Sequence, residues 1–70
     1  MDADEIRSMD TEDIQDELDD AREELMRLRF QVTTGELTDY NKLRFTRKKI
    51  ARLLTILRER ELEEEMEGEA

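Results

Sequence analysis

Cysteine, proline, histidine and tryptophan are absent from the 70 residues, and glycine occurs only twice. Each absence closes a class of chemistry or architecture. Without Cys there is no disulfide staple and no zinc–thiolate site. The lack of Cys also fits a cytosolic protein. Without His, the usual general base and the commonest metal ligand are both missing. No apolar run exceeds two residues, too short for a transmembrane helix or a signal peptide. Rings are scarce: Phe30, Tyr40 and Phe45 are the only ones. A chain this short makes one small domain, with too little buried apolar surface for a deep, sequestered active site.

What the sequence has in abundance is charge. Charged residues make up 47% of it and hydrophobic ones 36%. Twenty-one acids against twelve bases leave a net charge of −9. The charge is unevenly placed. Residues 1–40 sum to −10, residues 41–60 to +7 and residues 61–70 to −6. An overall acidity thus conceals a basic segment. Electrostatic forces are screened over roughly 8 Å at physiological salt, so the local pattern rather than the total decides what binds.

The composition, with no Pro, points to long helices. A short helix is expected over residues 3–8. A second start follows at Asp10, with acids in the first turn and Met9 and Ile14 placed as a hydrophobic staple. From there Ile14, Leu18, Ala21, Leu25, Leu28 and Val32 recur at alternating steps of four and three, a heptad seam. Thr33-Thr34-Gly35 should end this helix, which spans residues 10–33. Thr38 or Asp39 caps the next helix, expected over 38–64. Its Leu43, Ile50 and Leu57 lie seven apart. Leu53 and Leu54 fill the second half of this seam, and Thr46 or Arg47 the first. Glu59 and Arg60 are expected to pair within their own helix. A connection of about four residues forces the two long helices antiparallel. The fold class is therefore all-α: an antiparallel two-helix coiled-coil hairpin preceded by a short N-terminal helix. Residues 1–64 form the helical domain, and the acidic residues 65–70 are expected to be a disordered tail.

The basic stretch from Lys42 to Arg60 is the strongest chemical feature. Projected at about 100° per residue, Arg44, Lys48, Arg52 and Thr55 share a helix face. Arg47, Lys49 and Arg58 flank the apolar stripe. Rows of long cationic side chains on a rigid helix suit a phosphate backbone, because Arg can fork two donors onto one phosphate. With so few rings, shape and backbone recognition of folded RNA fits better than stacking on single strands. The competing reading is a solvated basic face that pairs with the acidic helix. Asp16, Asp19, Asp20, Glu23 and Glu24 read as a solvated face, because no His accompanies them and no EF-hand spacing occurs. The heptad seam leaves a homodimer open.

Several segments together resemble the bacterial form of the large-subunit ribosomal protein twenty-nine family. They are Asp4-Glu5-Ile6-Arg7, Asp10-Thr11-Glu12-Asp13-Ile14, the run from Glu23 to Gln31 containing Leu28-Arg29-Phe30-Gln31, Thr34-Gly35-Glu36-Leu37, and Asn41 to Leu53 around Arg47-Lys48-Lys49-Ile50-Ala51-Arg52-Leu53. Thr55 to Arg60 completes the match, which covers residues 3–62. The resemblance implies a structural, non-catalytic protein of the cytoplasmic ribosome, without cofactor, metal, membrane or small-molecule substrate. It implies binding to large-subunit (23S) rRNA at the rim of the polypeptide exit tunnel. Large-subunit protein twenty-three is the implied neighbour, docking nascent-chain chaperones and targeting factors. The implied RNA-facing residues are Arg29, Gln31, Thr34, Lys42, Arg44, Arg47, Lys48, Arg52, Thr55 and Arg58. The family is typically basic, and this chain departs from it in residues 1–40 and the tail. Two rivals remain: a coiled-coil interaction module without RNA, and a small helical enzyme of the chorismate mutase kind. The mutase reading lacks a helix and an Arg-lined pocket.

Overall fold

The computed structural model describes residues 1–36 and 39–68. Three helices follow one another: α1 (Ala3–Arg7), α2 (Thr11–Thr34) and α3 (Asn41–Gly68). The two long helices pack along each other, and α1 folds back onto α3. The result is a rod of 54 × 19 × 15 Å. Its radius of gyration is 15.0 Å, against about 11 Å for a compact chain of this length.

Local chemistry sets the helix ends. The Asp2 carboxylate accepts from the Glu5 amide at 2.9 Å and caps α1. Asp10 occupies the N-cap position of α2 with extended backbone, and its carbonyl accepts from the Ile14 amide at 3.0 Å. Its side chain makes no cap hydrogen bond, so the expected capping is by backbone alone. At the other end Gly35 takes the left-handed conformation, φ 79°. That lets the Gly35 and Glu36 amides turn back onto Val32 and Gln31 carbonyls, which would otherwise be orphaned. At the start of α3 the Tyr40 carbonyl accepts from the Arg44 amide at 3.1 Å, and the Asp39 carboxylate, one residue earlier, accepts from the Asn41 amide at 2.9 Å. The alternative cap, Thr38, lies outside the described residues, as does Leu37.

The buried core is Ile6, Ile14, Leu18, Ala21, Leu53 and Ile56, with Met1, Ala3, Met9, Ile50 and Leu57 packed around it. The α2 seam falls where its spacing places it: Ile14, Leu18, Ala21 and Leu28 are buried, and Leu25 and Val32 are half-buried. In α3 the seam takes Leu53 rather than Leu54, and Thr46 rather than Arg47. The Thr46 hydroxyl donates to the Lys42 carbonyl at 2.9 Å, so this buried polar group is satisfied. The core is thickest where α1 lies over α3 and thins towards the α2–α3 connection.

Two expectations need correction. Helix α3 does not stop at residue 64: it continues to Gly68, so residues 65–68 are helical rather than a disordered tail. Glu and Met are good helix formers, and no Pro or Gly interrupts α3 before Gly68. Residues 69–70 lie outside the described residues. Glu59 and Arg60 do not pair within their helix. Glu59 meets Arg7 of α1 at 3.5 Å. The Arg60 guanidinium donates to the carbonyls of Arg7 (3.1 Å) and Met9 (2.6 Å) and to the Thr11 hydroxyl (2.9 Å). One arginine thus ties α3 to the turn between α1 and α2.

Candidate nucleic-acid interface

Helix α3 is free of acids from Asn41 to Arg58. Its apolar stripe faces α2 and α1, so its cations are driven outward. Arg44, Lys48, Thr55 and Arg58 lie along the outward side, with Arg47 on one flank and Arg52 on the other; all six are exposed. Thr55 bonds the Ala51 carbonyl at 2.8 Å, which holds its hydroxyl against the helix.

Ion pairing divides the cations. Among the described residues, Arg44, Arg47 and Lys48 have no carboxylate partner. Arg58 pairs with Glu61 at 3.2 Å, an exposed contact that costs little to exchange for another anion. Arg52 donates to the Met1 carbonyl at 3.1 Å, so it also anchors the N-terminus. Lys42 lines a groove with Glu17, Asp20 and Glu24 of α2. Phe45, 60% exposed, lies in the same groove.

The candidates on α2 do not all adjoin the α3 face. Arg29 is exposed on one edge of the helix, Gln31 is half-buried on the other, and Thr34 is the last helical residue. The Thr34 hydroxyl bonds the Gln31 carbonyl at 3.2 Å. The acids Asp16, Asp19, Asp20 and Glu23 are exposed and Glu24 is half-buried. Among the described residues no group of three or more such side chains is placed to hold a metal ion.

The arrangement suits binding a polyanion over an extended surface. A rigid helix carries unpaired cations about one turn apart, roughly 6 Å along the axis, near the phosphate spacing of a nucleic-acid strand. Among the described residues of this face, no nucleophile is set against a base and no ring of donors surrounds a cavity.

Sequence comparison gives this face its context. Residues 4–60 match the family described as ribosomal L29 protein. The large ribosomal subunit protein uL29 of Staphylococcus haemolyticus is 48% identical over 64 residues, covering 91% of this chain and 93% of the relative. That of Frankia alni is 48% identical over 60 residues, covering 86% of this chain and 67% of the relative. That of Staphylococcus aureus strain JH9 is 47% identical over 64 residues, with 91% and 93% covered. The chain belongs to the ribosomal L29 protein family, whose members are structural and non-enzymatic.

Proposed function

We propose that this chain is a structural constituent of the large ribosomal subunit that binds large-subunit (23S) rRNA through the outward face of α3. The observation that carries the reading is the row Arg44, Arg47 and Lys48. These cations are exposed, fixed on a rigid helix and without carboxylate partners among the described residues. Arg58 and Thr55 extend the row, and Arg29 adds a cation from α2. An acidic protein that leaves this one segment un-neutralised is built to meet an anion there. The relatives' place in the large subunit supports rRNA as that anion.

The family resemblance further supports a position at the rim of the polypeptide exit tunnel. Large-subunit protein twenty-three is then the neighbour, with chaperone and targeting factors close by. The acids of α2 face away from the RNA in this arrangement.

Binding of the purified chain to large-subunit rRNA, titrated with salt, tests the reading. About five phosphate contacts give a fall in affinity of roughly two to three decades between 50 and 200 mM salt. Binding that is absent, or that ignores salt, contradicts it and favours a protein-only coiled-coil module.

A further inference from the structure

The two long helices form a ribbon with two broad sides, and the sides differ in charge. One side is identified by direct contacts. Lys49 of α3 pairs with Glu17 of α2 at 3.1 Å. The groove beside that pair is walled by Glu17, Asp20 and Glu24 on α2, with Lys42 and Phe45 on α3. Carboxylates therefore line the α2 half of this side.

The opposite side carries the opposite edge of α2. At about 100° per residue that edge consists of Gln15, Leu18, Arg22, Leu25, Arg29 and Thr33. It contains no acid, although α2 as a whole holds eight. All eight carboxylates fall on the outer surface or on the groove side. The facing edge of α3 carries Leu43, Arg47 and Leu54, also without acids. Gln15 and Leu57 line a common pocket with Glu61 and Glu64, which puts these edges on one side and marks where the acid-free strip ends. Arg22, Arg29 and Arg47 are exposed and have no carboxylate partner among the described residues. Arg27, one turn from Arg22 but on a different edge, is paired with Glu24 at 2.7 Å.

We infer that the RNA lies over this acid-free side alone, wrapping from the outward face of α3 onto α2, and that Arg22 is a phosphate contact. The inference rests on the RNA-binding reading and makes it one-sided. A phosphate strand on the groove side would run beside three carboxylates within a screening length of about 8 Å. On the opposite side the bulk of α2, about 10 Å across, separates it from Glu17, Asp20 and Glu24, and the nearest acid is Asp19, on the outer surface one turn before Arg22. Arg22 and Arg29, two turns apart, then extend the cationic row of α3 across the ribbon.

The test compares matched substitutions on α2 in the full chain. Arg22→Gln and Arg27→Gln remove the same charge from neighbouring turns of one exposed helix. Each is measured for affinity to transcribed large-subunit rRNA across a salt series, with helicity checked by circular dichroism. Arg22→Gln is expected to lower the slope of log affinity against log salt by about one unit, and affinity by roughly eightfold at 0.1 M salt. Arg27→Gln is expected to leave both unchanged. Gln15→Glu, which puts a carboxylate on the acid-free edge, is expected to weaken binding several-fold. Equal effects of Arg22→Gln and Arg27→Gln, or none from Arg22→Gln, overturn the inference while the wild-type salt slope still upholds RNA binding. Wild-type binding without salt dependence overturns both.

Discussion

Arg60 shows how a single residue can hold a small fold together. It sits at a seam position, seven residues after Leu53, where a coiled coil ordinarily buries an apolar side chain. Its guanidinium instead reaches the Arg7 carbonyl, which the end of α1 leaves without a helical partner, and the Met9 carbonyl in the turn that follows. Removing it leaves those acceptors without this donor and loosens the hold of α3 on the turn. Arg60→Ala should cost about 2 kcal/mol, read as a shift in the urea unfolding midpoint. Gly35 is the other exacting position. Its φ of 79° is one that side chains resist, although nothing lies within 4 Å to obstruct a Cβ. Gly35→Ala should therefore cost about 1 kcal/mol through backbone strain alone, seen as a lower thermal midpoint.

At the scale of the helices, the α2–α3 seam carries the stability, and its smallest buried side chains, Ala21 and Thr46, line the same groove. Leu53 is fully buried against Ile14, Leu18 and Ile56 in the core cluster. Leu53→Ala should cost about 2–4 kcal/mol, which for a hairpin this thin means loss of cooperative unfolding at 37 °C. The α2 seam was readable from the alternation of fours and threes, because a helix has one period and the chain keeps it. The α3 seam was less so. Leu53 and Leu54 are adjacent and equally apolar, so both read as seam residues, and only contact with α1 and α2 leaves Leu54 outside it. Thr46 and Arg47 posed the same choice; the hydroxyl wins because it can satisfy itself on the Lys42 carbonyl. The role of Arg60 was illegible, since its partners are backbone carbonyls of a turn that no residue type announces. The end of α3 is illegible for a different reason. A run of like charge suggests repulsion and disorder, but each residue from Glu61 to Glu67 is a competent helix former.

At the scale of the whole molecule, charge follows the long axis and the two sides of the ribbon. Arg44, Lys48 and Thr55 were legible as one face because helical projection needs only one helix, whereas the hold of Arg52 on the Met1 carbonyl was not. Which edge of α2 adjoins it was not, because that depends on the packing that brings Lys49 to Glu17. The stretch of α3 beyond Arg60 adds no buried residue to the core, and residues 61–68 are all exposed. Removing residues 63–70 should leave the thermal midpoint within about 3 °C, since exposed residues away from contacts contribute little. The same truncation should leave association with the large subunit unchanged; its loss would assign the acidic extension a binding role.

The most direct test of the account is sedimentation of the tagged protein from cell lysate through a sucrose gradient, at low and at high salt. The wild-type chain should travel with the large ribosomal subunit at low salt. The combined variant Arg44→Gln, Arg47→Gln, Lys48→Gln should remain near the top of the gradient while keeping its helicity. A wild-type chain that stays at the top, or a triple variant that sediments with the subunit as the wild type does, would contradict it.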